Sequence, residues 1–137
     1  IFPGMISYIM MDANNLKTIN DTLGHNKGDE LIITIAKCMR KAVGHNGQCY
    51  RIGGDEFVII LKNKTAAETE EIINKVRCEI EFADKQSDIT ISVAIGYVWT
   101  DTEQKNLEDL MQHADDEMYQ DKKKTKENKS KENTHSI

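Results

Sequence analysis

Tyr50-Arg51-Ile52-Gly53-Gly54-Asp55-Glu56-Phe57-Val58-Ile59-Ile60 is the stretch on which the reading of this chain turns. Two apolar runs, Cys49–Ile52 and Phe57–Leu61, flank two glycines and two adjacent carboxylates. That pattern predicts a β-hairpin with Gly53-Gly54-Asp55-Glu56 at its tip. Glycine tolerates positive φ and lets another molecule come close to the backbone. A rigid tip carrying Asp55 and Glu56 suits a hard cation such as Mg²⁺, and with it a nucleoside triphosphate. The same four residues would serve equally as a solvated turn. The rest of the chain has to decide.

Working outward, the 137 residues predict one domain with a single two-layer core. Hydrophobic residues make up 39% and charged residues 30%, ordinary proportions for a soluble globular chain. No apolar run approaches the length of a membrane span, and no signal peptide is present. Cys38, Cys49 and Cys78 are odd in number, far apart and form no Cys-x-x-Cys pair. Neither a zinc site nor a disulfide framework follows, and buried free thiols in a reducing cytoplasm are expected. The net charge of −5 is uneven: residues 122–137 carry +4, which leaves −9 on residues 1–121. An acidic body argues against nucleic-acid binding, which relies on clustered Lys and Arg. A polyanionic ligand would have to bring metal ions with it. Residues 127–137 form a Lys-rich, polar tail expected to be disordered.

Around the hairpin the pattern alternates between strand and helix. Ile6–Met11 suits a buried central strand ending at Asp12, and Asn15–Leu23 a short helix stopped at Gly24. Asp29–Val43 places Leu31, Ile32, Ile35, Met39 and Ala42 on one helical face, with Gly44 past its end. Thr65-x-x-Glu68 is a capping box that opens a helix to about Phe82. Ile89, Ile91, Val93 and Ile95 alternate as in a half-buried strand. Leu107, Leu110, Met111, Ala114 and Met118 mark a last helix running into Lys122. The order β-α-α-β-β-α-β-α contains a split βαβ unit, so the expected fold class is α+β, a mainly antiparallel central sheet covered by helices.

Met11-Asp12-Ala13-Asn14-Asn15-Leu16-Lys17-Thr18-Ile19-Asn20-Asp21-Thr22-Leu23-Gly24-His25-Asn26-Lys27-Gly28-Asp29 precedes the hairpin, and Ala114-Asp115, Met118-Tyr119 and Lys122 follow it. With Arg51–Phe57, these segments resemble the GGDEF family, the diguanylate cyclases, which condense two GTP into cyclic di-GMP. They occur in the family's order and spacing from about Met5 to Lys126, so residues 1–126 are taken as the domain. The resemblance implies a ferredoxin-like, palm-type nucleotidyl cyclase core. It also implies that the chain is a fragment of a larger sensor. The family's domain opens with a helix and a Leu-Thr-Gly-Leu-x-Asn-Arg-like segment that does not precede Ile6 here.

Residue by residue, the resemblance makes Asp12 a Mg²⁺ ligand through its side chain and Ala13 one through its carbonyl. Asp55 becomes ligand and proton acceptor, and Glu56 the second carboxylate of the hairpin. Two Mg²⁺ per half-site are implied, with Mn²⁺ able to substitute. An EF-hand beginning at Asp12 is excluded, because Lys17 stands where the loop needs Gly and Leu23 where it needs Glu. Lys17, near a helix start, matches a lysine on the terminal phosphates that supports the transition state. Asn20 and Asp29 match the guanine readers; a carboxylate accepts well from the guanine N1–H and amine. On their own terms Asn20 would be a helix surface residue and Asp29 an N-cap. His25 either touches the nucleotide or braces the loop, and Gly53 and Gly54 give the substrate access to the hairpin. Lys122 and Lys126 match phosphate contacts, although the family usually has Arg at the second, so the bidentate fork is missing.

The implied activity needs two domains face to face, hence a homodimer brought together by an upstream sensory or dimerisation region. A catalytically silent module sensing GTP or a dinucleotide is the alternative; an adenylyl cyclase is disfavoured by Asp29. Cytoplasmic placement is expected, with no membrane contact by this domain. Many family members carry an inhibitory Arg-x-x-Asp site for the product ahead of the hairpin. Here that stretch is Gly44-His45-Asn46-Gly47, with neither charge.

Overall fold

A computed structural model describes residues 4–101 and 107–135. The elements are β1 (Ile6–Ala13), α1 (Leu16–Leu23), α2 (His25–Val43), a 3₁₀ turn at Gly44–Asn46, β2 (Gly47–Arg51), β3 (Glu56–Lys62), α3 (Ala66–Gln86), β4 (Val93–Thr100) and α4 (Leu107–His135). The four strands lie in the order β2-β3-β1-β4, and every neighbouring pair is antiparallel. The α+β class and the split βαβ arrangement are therefore present.

β1 occupies a central position because it is apolar along nearly its whole length and hidden on both faces. Ile9, Met11 and Ala13 point to a cluster formed with α1, α2 and α3; Tyr8 and Met10 point to a second cluster under α4. Helices thus cover both faces, and the core has three layers rather than the expected two. α4 can lie directly on the sheet because of Gly96. A Cβ there would collide with the Ala114 carbonyl and the Met118 nitrogen.

Several boundaries depart from the pattern-based expectation. α2 begins at His25, with Gly24 at its N-cap, so Asp29 sits in the second turn and is not a cap. The capping box of α3 forms as expected, Thr65 Oγ1 accepting from Glu68 N and Glu68 Oε1 from Thr65 N. The helix then continues to Gln86, since nothing breaks it before Ser87. Ile89 and Ile91 are buried as expected, yet the ladder starts only at Val93. Its partner β1 ends at Ala13, and beyond Val93 only the bond from Asn14 N to Ser92 O continues the pairing. α4 runs on to His135, through most of the segment expected to be disordered; no Gly or Pro interrupts residues 107–135. Of the three free thiols, Cys38 is buried, Cys49 half-buried and Cys78 exposed. No helix among the described residues is long and apolar enough to cross a membrane.

Candidate active site

Three elements meet at the C-terminal end of β1. Asp12 lies opposite Glu56, the first residue of β3, and opposite Ala94 of β4. The hairpin loop is locked to this point by its main chain. Ala13 N donates to Asp55 O at 2.8 Å, and Ile52 N to Glu56 O at 3.0 Å. Arg51 adds a clamp that the sequence did not reveal: Nε donates to Gly53 O at 3.1 Å and Nη2 to Gly54 O at 2.6 Å. Neither Gly53 nor Gly54 has positive φ, so the expected left-handed turn is not why glycine stands there. The space above Gly54 is open, with nothing within 4 Å of an added Cβ, so what glycine supplies is access.

Asp12 is 8% exposed, and its Oδ2 accepts from Lys122 Nζ of α4 at 3.0 Å. Burial pushes its carboxyl up from 3.8 to about 6; the Lys122 ammonium opposes this, and the neighbouring Asp55 carboxyl reinforces it. Asp12 Oδ1 is buried without a hydrogen-bond partner, and so is Asn14 Oδ1. Two acidic groups in contact, with a desolvated free oxygen, form a donor set that fits a hard divalent cation. Among the described residues no three of His, Cys, Asp and Glu converge on one point. Glu56 stands opposite Asp12 across the β1–β3 pair. Its charge acts on Tyr8, whose hydroxyl is raised chiefly by burial and secondarily by Glu56.

The residues expected to read the base lie on the α1–α2 pair. Gly28 is what lets these helices close up: a Cβ there would collide with Asn20 Oδ1. Asn20 is thereby held against the turn that presents Asp29, and Asp29 itself is exposed. Lys27 fixes this corner, bonding Glu30 at 3.1 Å and Asp88 at 2.9 Å. Lys17, second in α1, and His25, first in α2, are both exposed. Lys126 lies in α4, and its side chain falls outside the described residues.

A cavity of about 520 Å³ lies elsewhere, between α3 and α4 beside β4. Its polar walls satisfy one another. Asp121 accepts from Ile95 N at 2.8 Å and lies 3.6 Å from Arg77, and Tyr97 Oη donates to Glu70 at 2.8 Å. None of the expected site residues lines it.

The model of the family described as diguanylate cyclase, GGDEF domain, matches residues 3–128. The chain belongs to the GGDEF domain family. Signaling protein YkoW of Bacillus subtilis is 38% identical over 120 residues, covering 85% of this chain and 15% of its own length. Diguanylate cyclase DosC of Escherichia coli is 32% identical over 118 residues, covering 83% of this chain and 25% of its own. The GGDEF chain described here thus spans a quarter or less of these relatives. Among solved structures, the active GGEEF domain of a diguanylate cyclase from Vibrio cholerae superposes with a TM-score of 0.77. It is 27% identical over 88% of this chain and 78% of that one.

Proposed function

We propose that this GGDEF domain is a diguanylate cyclase, forming cyclic di-GMP and two pyrophosphates from two GTP. The observation that supports it most is the Asp12–Asp55 pair at the end of β1, with one buried Asp12 oxygen free and Lys122 on the other. A bound divalent cation would neutralise the triphosphate and acidify the attacking 3′-hydroxyl. Asp12 and Asp55 would hold it, with the carbonyl of Ala13. Asp55 would take the proton from the 3′-hydroxyl of one GTP as that oxygen bonds to the α-phosphorus of the other and pyrophosphate departs. Lys122 holds Asp12 when no cation is present. From there, 3.0 Å away, it would leave the carboxylate for a substrate phosphate. Lys17 would meet the terminal phosphates, and Asn20 with Asp29 the guanine edge. Each domain supplies one half-site, so turnover requires two domains face to face, as in a homodimer assembled by a neighbouring region of the polypeptide.

Concentrated or artificially dimerised protein, incubated with GTP and Mg²⁺, tests this by chromatography of the products. Cyclic di-GMP and pyrophosphate are expected. Binding of GTP with no product, in a preparation shown to be dimeric, would replace the reading with that of a silent sensing module.

A further inference from the structure

Of the two buried side-chain oxygens without partners among the described residues, only Asp12 Oδ1 belongs to a residue given a role above. The other is Asn14 Oδ1, on a residue only 6% exposed. A buried amide oxygen left unsatisfied is unfavourable by about 1–3 kcal/mol, and folded proteins leave few of them. The other end of this amide is occupied, since Asn14 Nδ2 donates to Ser92 Oγ at 2.9 Å. That bond turns the carbonyl end away from Ser92.

Its direction follows from the backbone. Asn14 N donates to Ser92 O at 2.9 Å, which carries the β1–β4 ladder one rung past Ala13 and Val93. Asn14 itself lies in the turn that leads to α1, but its side chain bonds that of Ser92, the neighbour of Val93. Val93 shares the Ala13 face, so Ser92, and Asn14 with it, fall on the face of Asp12. That face is the one on which Tyr8 and Met10 meet α4. Same-face positions two residues apart are separated by roughly 7 Å. Two side-chain oxygens bound to one ion at about 2.1 Å each lie at most about 4.2 Å apart, so the two side chains would lean toward each other to share it. Asp55 closes the other side, its main chain bonded to Ala13 and its carboxyl beside Asp12.

We propose that Asn14 Oδ1 is a further donor to the divalent cation held by Asp12 and Asp55. The inference rests on the metal site of the preceding section. It accounts for a donor set without three convergent acids, because the third side-chain oxygen is a neutral amide. The amide adds an oxygen without adding charge to a place where burial already opposes the Asp12 anion.

Mn²⁺ alone, titrated into the whole chain and followed by electron paramagnetic resonance of the free ion, tests the assignment. Asn14→Ala should weaken Mn²⁺ binding tenfold or more, and the isosteric Asn14→Asp should tighten it several-fold. Asp12→Asn serves as the reference for the site itself. Unchanged affinity in Asn14→Ala, with binding lost in Asp12→Asn, overturns the role of Asn14 and leaves the metal site standing. Unchanged affinity in both overturns the site as well. Circular dichroism reports whether Asn14→Ala is folded. If it is not, Asn14→Asp decides: tighter binding supports the assignment, and equal or weaker binding refutes it.

Discussion

Asp12→Asn should make the metal-free protein more stable. Raising a carboxyl from 3.8 to about 6 means that the folded chain disfavours the charged form by roughly 3 kcal/mol at neutral pH. Between about pH 4 and 6 the folded state retains a proton that the unfolded chain has released. Stability therefore falls as pH rises through that window and stays lowered above it. Asparagine has nearly the shape of the neutral acid and carries no charge, so it escapes this penalty. Lys122 loses its partner, but its side chain is 36% exposed and can turn to water. The expected gain at pH 7.5 in EDTA is about 2–3 kcal/mol, or roughly 10 °C in Tm for a chain of this size. It should vanish near pH 4, where both proteins are neutral at this position. Urea unfolding from pH 4 to 8 measures it directly. Saturating Mg²⁺ should raise the wild type and leave the variant unmoved, since only a folded state that binds the ion is stabilised by it. A variant no more stable than wild type at pH 7.5, or a gain that does not shrink toward pH 4, refutes the reasoning.

Four further outcomes are expected. Asp55→Ala should lower cyclic di-GMP formation at least about 100-fold with an unchanged circular dichroism spectrum, because its side chain is partly exposed, outside the core, and in the proposed reaction would take the proton. Asp29→Ser should erode a preference for GTP over ATP by roughly 10- to 100-fold, the value of about 1.5–3 kcal/mol of charge-assisted hydrogen bonding, as calorimetry would show. Gly96→Ala should destabilise the fold by about 1–3 kcal/mol, since α4 must lift from β4 to admit the methyl group; denaturant unfolding reads this. Cyclic di-GMP should not inhibit through Gly44–Gly47, which forms an uncharged 3₁₀ turn and β2 start; micromolar inhibition abolished by altering His45 or Asn46 would contradict this.

The sequence shows the hairpin, the capping box and the central strand plainly, because each is set by neighbours along the chain. Thr65 and Glu68 cap α3 whatever lies around them, and the apolar run of β1 fits only a strand covered on both faces. What was not legible depends on partners far away in sequence. β4 starts at Val93 because β1 ends at Ala13, a register that alternation over Ile89–Ile95 cannot contain. The second apolar layer was hidden in the alternation of β1 itself, where Tyr8 and Met10 belong to one face and Ile9 and Met11 to the other. Arg51 looked like an ordinary hairpin residue, since a clamp on Gly53 and Gly54 carbonyls appears only once the loop has a shape. Asn14 lies in the turn just past β1, and its bond to Ser92 appears only once β4 is in place.

How α4 is seated explains why Asp12 has a lysine on it at all. Met118 packs under the sheet, and Lys122, one turn later, comes to the same face of the helix. Asp121, its neighbour, instead reaches the sheet edge and accepts from Ile95 N at 2.8 Å, while Glu117 accepts from Tyr97 N at 3.2 Å. Edge N–H groups of β4 are thus bound by the same turns of helix that deliver Lys122 to the middle of the sheet. Gly96 sets the distance of this contact and the two acids set its register. Shifting α4 by one residue would free both edge groups and withdraw the ammonium from Asp12 together. The position of Lys122, 110 residues from its carboxylate in sequence, is accordingly a property of the helix–sheet packing and not of the loop that carries the acids.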